Sequence, residues 1–410
     1  MSIDKSSARP AGTPALMLLL ATAGFAVNFW AWALLSPLGP RFKETLNLTA
    51  AQQALLVAVP VIVGSLGRIP VGALTDRFGG RTMFPLISAA TIVPVLFIGL
   101  VGQSSLAALL AGGFLLGIGG TVFAVGVPYV SGWFPPERRG LAVGVFGMGM
   151  GGTAISALTT VSLVEAGGAA TPFLLTAAAL ALYAAVAWLL MRDPPGRTAP
   201  VTPITARLAA AVRLPITWQA CILYGVAFGG YVAFSVYLPV YLESAYGLEQ
   251  ADAANRMAGF VLLAVVARPA GGWLSDRLGP IPVLAAVFAV VALCAAAQAF
   301  TPPLMPAGTS AFLIMAAALG AGSGATFALV ATAAPADKVG SVTGLVGAAG
   351  GLGGFVPPLV MGFVYGRSGS YGLGLVLLAC VSALTLLLTV TAVRATARRR
   401  ADAPHVRPAS

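Results

Sequence analysis

The chain has 410 residues, 58% of them hydrophobic and only 9% charged, with a mean hydropathy of +0.93 and a formal net charge of +11. Soluble domains carry about 25% charged residues. These values exclude a soluble globular body, leave no room for a soluble domain of useful size, and predict a polytopic membrane protein.

The first fourteen residues form a short polar tail without the design of a cleavable signal, so the apolar run behind them reads as a true span. A span needs roughly 20 apolar residues. Twelve such segments follow in order, at about 15–36, 51–73, 82–102, 105–132, 140–163, 171–191, 218–241, 254–273, 281–300, 309–333, 339–364 and 372–393. Between the sixth and seventh, Arg192, Arg197, Arg207 and Arg213 alternate with Pro194, Pro195, Pro200 and Pro203, which reads as a polar linker. The expected organisation is an all-α membrane protein of twelve transmembrane helices in two pseudo-symmetric six-helix bundles. Residues 1–191 form the first bundle, 192–217 the linker, 218–393 the second bundle and 394–410 a basic tail.

Basic residues set orientation. Seventeen of the 23 Lys and Arg fall on the side that holds both termini, and four (Arg41, Lys43, Arg256 and Arg367) on the other. This predicts cytoplasmic termini and accounts for the positive balance through topology, without nucleic acid. The remaining two, Arg68 and Arg268, sit inside apolar segments.

Those two arginines are 200 positions apart and their surroundings repeat with them. Gly72, Leu74, Asp76, Arg77 and Gly79 are answered by Gly272, Leu274, Asp276, Arg277 and Gly279. Glu137, Arg138 and Gly140 match Asp337, Lys338 and Gly340, and Gly144, Gly147 and Gly151 match Gly344, Gly347 and Gly351. Each copy starts on the same side, so the copies are parallel repeats, an arrangement that places substrate between halves near the midplane. Arg68 precedes Asp76 by eight residues, which puts it about 12 Å from the loop, deep in a slab about 30 Å thick. A guanidinium at that depth is expensive and marks a function by default. Two facing cations lose hydration and repel, and an anion between them relieves both penalties. The planar fork suits a flat oxyanion such as nitrate or nitrite. The plain alternative is a pair of arginines that cap helix ends or snorkel to headgroups.

The segment Gly72 to Arg81 resembles the loop between spans two and three of the major facilitator superfamily, and Gly272 to Gly279 resembles its loop between spans eight and nine. Within that superfamily, Gly340 to Phe355 resembles the second nitrate signature of the nitrate/nitrite porters (NarK type), and Gly140 to Thr153 resembles the first. The resemblance covers the whole chain. It implies the major facilitator fold, a bacterial-type inner membrane and a nitrate site between Arg68 and Arg268, walled by aromatics. Tyr224 and Phe228 match the family's tyrosine–phenylalanine pair on span seven, and Phe123, following Gly120, matches its phenylalanine on span four. One departure stands out: Met150 lies near the place where the first signature carries an asparagine, which removes a polar contact.

Candidate roles follow. Tyr224 adds a hydroxyl to the cavity wall, although ordinary packing also explains the aromatics. Phe327 is a repeat mate of Phe123 with a register slipped by four, and Asn28, Phe29, Trp30 and Trp32 on span one reach either the cavity or an interfacial belt. The glycine runs let backbones approach closely, which serves either rocking of the two halves or static helix packing, and Gly120, Gly147, Gly151, Gly347 and Gly351 are candidates to bring main chain near the anion. Asp76, Arg77, Asp276 and Arg277 form a gate that caps backbone donors or pairs across the seam, against a reading as solvated loop charges. None of the 12 acids and no histidine falls within a span, so the core lacks an obvious proton carrier. An empty site would hold unpaired positive charge, which favours exchange of one anion for another. The rival is proton-linked uptake through Glu243 or another boundary acid, and a further rival is a drug or organic-anion carrier. No nucleophile–base pair, metal spacing or phosphate loop is present, so no enzyme, cofactor or metal is expected. Cys221, Cys294 and Cys380 read as small core residues. The expected partners are small inorganic anions and membrane lipid, with the chain acting as a monomer.

Overall fold

Residues 12–197, 202–354 and 372–401 are described by the computed structural model, and they contain helices and turns but no strand. The first copy of the repeat begins with α1 (Pro14–Trp32) and α2 (Leu35–Thr45), followed by α3 (Ala50–Leu66) and α4 (Arg68–Phe78). Next come α5 (Gly80–Leu100), α6 (Leu106–Gly120), α7 (Phe123–Trp133), α8 (Arg139–Gly147), α9 (Gly152–Gly167) and α10 (Thr171–Leu190). A short helix, α11 (Ile204–Val212), precedes the second copy: α12 (Pro215–Tyr246), α13 (Gln250–Leu278), α14 (Pro280–Ala299), α15 (Thr309–Ala333), α16 (Val339–Gly353), α17 (Gly372–Leu388) and α18 (Arg394–Ala401).

Local chemistry sets the starts and stops. Thr49 and Gln52 form a reciprocal capping box at the start of α3, with bonds of 2.8 and 3.2 Å. Gly79 and Gly279 turn the chain between consecutive helices at φ of 81° and 84°, a conformation that side-chain-bearing residues avoid. The same left-handed turn thus recurs after 200 residues.

Ten helical stretches among the described residues are long and apolar enough to cross a membrane. The two remaining expected spans differ for separate reasons. Residues 51–73 are divided by a break at Gly67 and continue to Phe78, giving helices of 17 and 11 residues. The eleventh expected span, 339–364, is described as α16 to Gly353, and residues 355–371 lie outside the described residues. Helices α12 and α13, with 32 and 29 residues, run past the expected boundaries because their polar ends stay helical beyond the apolar stretch. The linker contains a helix that the alternation of arginine and proline concealed. In α11, Ile204, Leu208 and Ala211 recur at helical spacing, and Ala211 is buried.

Leu158, Leu182, Leu293 and Phe300 are exposed, whereas Asn28, Ser88, Thr91, Thr160 and Thr385 are buried. This is the distribution of a lipid-facing shell around internal polar contacts. Asn28 donates to Gly24 O and Ser88 Oγ, each at 2.8 Å, tying α1 to α5. The seam between copies brings α3, α4 and α7 against α16, and α8 against α13 and α15. Both arginines lie along it.

Candidate functional site

Arg68 opens α4 directly after the break at Gly67, and Arg268 lies within the unbroken α13; they are 2% and 3% exposed. Each guanidinium faces an aromatic ring at 5.3 Å, Arg68 over Phe123 and Arg268 over Phe228. Between these two rings stands Tyr224. It is parallel to Phe123 within 5° at 6.2 Å and to Phe228 within 6° at 4.9 Å. Phe327 closes the row edge-on, 4.8 Å from Phe123 and 4.6 Å from Tyr224. Three parallel rings therefore include the two that the arginines face, and the Tyr224 hydroxyl lies within electrostatic reach of both guanidiniums. Charges held in such a low-dielectric wall interact more strongly than in water. Among the described residues neither arginine has a carboxylate within ion-pair range, so their charge is unneutralised.

The glycines meet the arginines in distinct ways. Arg68 Nε donates to Gly120 O at 3.1 Å and Nη1 to Gly347 O at 2.8 Å, so Arg68 touches both copies. A Cβ on Gly147 would lie 3.3 Å from Arg268 Cδ. A Cβ on Gly351 would collide with Ser65 Oγ, and one on Gly151 would meet no described atom within 4 Å. Gly147 and Gly347 thus flank guanidiniums, Gly120 supplies a carbonyl, Gly351 is packed, and Gly151 borders open space.

Of the span-one residues, Phe29 reaches the site at 5.9 Å from Arg68, while Trp32 donates to Pro60 O at 2.8 Å and Asn28 is turned to α5. Met150 is buried in the apolar cluster that includes Phe25 and Phe146. Tyr231 escaped the sequence reading. It lies 5.9 Å from Phe228 and within electrostatic reach of Arg268. The signal was available, since Tyr224, Phe228 and Tyr231 fall at i, i+4 and i+7 on one helix face.

At one end of the seam both aspartates cross between copies. Asp76 accepts Gly340 N–H at 2.9 Å, Ser341 N–H at 3.0 Å and Ser341 Oγ–H at 2.8 Å. Asp276 accepts the N–H groups of Gly140 and Leu141, both at 2.7 Å. The first N–H groups of a helix lack internal partners and carry the positive end of its dipole, so each carboxylate caps the helix start of the other copy. Gly272 makes the approach possible, because a Cβ there would run into Gly140 O.

Arg77 and Arg277, expected in this gate, are instead exposed and lie over Phe78 and Trp273 of their own helices, at 5.4 and 4.2 Å. Both residues sit on the solvent side of their helices, one position past the aspartates that turn inward. The cation that pairs with Asp76 is Arg207 of the linker helix, which is 3% exposed. Arg207 also donates to Ala73 O at 3.1 Å and Asp337 O at 3.0 Å. Arg197 adds bonds to Asp76 O and Arg77 O at 3.0 and 2.8 Å, so two linker arginines fasten the end of α4. Among the described residues no three His, Cys, Asp or Glu side chains gather as a metal would require.

The family model described as Major Facilitator Superfamily matches residues 21–358 and 257–408. The probable nitrate/nitrite transporter NarK2 of Mycobacterium tuberculosis is 49% identical over 380 residues, covering 92% of this chain and 96% of that protein. The chain belongs to the nitrate/nitrite porter family of the major facilitator superfamily. This makes it an integral membrane protein of a transporter class and not an enzyme. The nitrite extrusion protein of Bacillus subtilis is 35% identical, covering 92% and 93% of the two chains. The probable nitrate transporter NarT of Staphylococcus aureus is 33% identical, covering 90% and 94%. Among solved structures, the human organic anion transporter MFSD10 overlays with a TM-score of 0.77 at 14% identity, covering 92% of this porter and all of that chain. The E. coli fucose:proton symporter FucP overlays at 0.72 with 18% identity, covering 94% and 99%. At such identities these overlays speak for the major facilitator fold alone.

Proposed function

We propose that this porter carries nitrate and nitrite across the cytoplasmic membrane by alternating access, exchanging one anion for the other between Arg68 and Arg268. One observation carries the reading: two buried guanidiniums without a described carboxylate partner each face a ring of one aromatic row along the seam, within electrostatic reach of each other. A flat monovalent oxyanion supplies the missing negative charge and matches the guanidinium fork. Its loose hydration suits an aromatic wall better than that of sulfate or phosphate, which need more donors. The names of the relatives support the same substrates.

The seam end held by Asp76 and Asp276 is the cytoplasmic gate in this reading, consistent with the basic residues that cluster there and with both termini inside. Its two helix caps hold that side closed. The two bundles, 1–191 and 218–393, rock about the site as a monomer, with 192–217 spanning them. Exchange follows from the charge of the site: a loaded carrier returns with its positive charge balanced, an empty one does not.

Substrate identity is tested on the purified porter. Millimolar nitrate or nitrite should raise its Tm, as ligands of the folded state do, while sulfate at equal ionic strength should not. An equal response to all three anions overturns the assignment.

A further inference from the structure

Arg81 stands at the start of α5 and Arg192 just past the end of α10, two helices that pack along one another, and neither has a task in the carrier reading. We propose that the cavity they line binds the phosphate headgroup of an anionic phospholipid from the cytoplasmic leaflet. The proposal takes only its side of the membrane from the reading above and does not depend on what Arg68 and Arg268 bind.

The cavity has a volume of about 680 Å³ and lies where the ends of α1, α5, α7 and α10 meet. Pro14, Trp133 and Phe134 give it apolar and aromatic walls, and Arg81, Arg192 and Asp193 give it charge. Asp193 is already engaged. It accepts the Arg81 N–H at 3.1 Å, capping α5, and pairs with Arg197 at 3.7 Å. Among the described residues neither Arg81 nor Arg192 has a carboxylate in ion-pair range. Two guanidiniums against one engaged carboxylate leave the lining positive.

Arg192 is fixed by its own surroundings. Its N–H reaches Met17 Sδ at 3.3 Å, and its carbonyl accepts the Tyr129 hydroxyl at 2.7 Å. Its Nη1 donates to Leu189 O and Met191 O at 2.9 and 2.8 Å, at the helix end where carbonyls lack internal partners. The Nε–Nη2 edge makes no hydrogen bond to a described residue. Such an edge is the fork that engages two oxygens of a phosphate at once. Arg81 is exposed, and its guanidinium likewise makes no hydrogen bond to a described residue.

The surroundings favour a lipid as the source of the phosphate. Trp188, Leu189 and Leu190, in the last turn of α10 before Arg192, are exposed, as is Leu86 on α5 five residues beyond Arg81. The cavity thus lies where a lipid-facing shell meets the basic side of the protein, the level of headgroups. Basic pockets between spans on this side recognise anionic headgroups. The lining also connects to the gate, because Asp193 pairs with Arg197 and Arg197 donates to Asp76 O.

Native mass spectrometry of the purified full-length porter tests the site. Offered phosphatidylglycerol and phosphatidylcholine of the same acyl chains in equal amounts, the unmodified protein should retain phosphatidylglycerol preferentially. Arg81→Gln combined with Arg192→Gln should lower that preference by roughly 10-fold. Arg138→Gln combined with Arg277→Gln removes the same charge from exposed positions outside the cavity and should keep the preference within about twofold. An equal fall in both pairs, which diffuse attraction to a basic surface would give, overturns the proposal. So does the absence of any preference in the unmodified protein, the result expected if the chain's own tail fills the cavity. A thermal shift by millimolar inorganic phosphate that is lost in the Arg81 and Arg192 pair, without a lipid preference, assigns the cavity to free phosphate and overturns the lipid source. Should the double variant not fold, Arg81→Gln alone decides, since its side chain has no bond to lose: a fall of about threefold supports the site, and an unchanged preference overturns it. Nitrate stabilisation of the same samples tests the carrier reading separately.

Discussion

Asp276 accepts the backbone N–H of Gly140 across the seam at 2.7 Å. Its second oxygen accepts Leu141 N–H, so both oxygens face donors. Asp276→Asn would turn an amide NH2 toward one of them. The pair is half-exposed, so the unmet donor should cost less than the ~1–3 kcal/mol of a buried one, and the variant should shift toward a conformation open at this end. A cysteine placed at the buried Ala142, in a background without native cysteines, should label several-fold faster with maleimide.

Close approach of main chains is a second requirement. Gly272→Ala drives a methyl into Gly140 O, a rigid partner, and should lower the stability of this conformation by about 1–3 kcal/mol. Gly259→Ala on the same helix meets no described atom within 4 Å and should stay within about 0.5 kcal/mol. Comparing Tm and nitrate flux of the two separates steric closure from a general intolerance of alanine.

The linker arginine gives a third contrast. Arg207→Ala leaves the Asp76 carboxylate without its cation, although Gly340 and Ser341 still donate to it. Loss of one partner from a buried pair costs up to about 3–5 kcal/mol, and the retained donors should keep the effect in the lower part of that range. Arg277→Ala, which removes an exposed cation over Trp273, should be nearly neutral. Similar Tm values for the two variants would contradict the role given to the linker helix.

At the site, Tyr224→Phe keeps the ring row and removes the hydroxyl within electrostatic reach of Arg68 and Arg268. Nitrate affinity should fall by about 5- to 10-fold with normal membrane insertion, in line with one hydrogen bond to a charged group. An unchanged affinity would assign Tyr224 to packing alone.

Much of this was legible beforehand because charge is rare in the chain and the repeat has a fixed offset. Arg68, Arg268, Asp76 and Asp276 stand out against apolar surroundings, and the structure brings each pair to matched places. Tyr224, Phe228 and Phe123 were named through resemblance, and they do line up. What stayed hidden depends on backbone detail. The engagement of Arg68 by Gly120 follows from a helix break that hydropathy does not register. The partner of Asp76 is Arg207, 131 positions away in a segment read as polar linker, and no spacing in the sequence links the two. Repeats fix where residues recur; donors freed at helix ends decide what each recurrence does.

Counterflow in proteoliposomes measures the central claim most directly. Vesicles loaded with nitrite and diluted into labelled nitrate should accumulate label rapidly, while vesicles without internal anion should not. An imposed inside-alkaline pH gradient should change the rate little, and Arg68→Lys and Arg268→Lys should each lower it by more than about 10-fold. Uptake that ignores internal nitrite and follows the proton gradient, or that survives in the lysine variants, would contradict exchange at a two-arginine site.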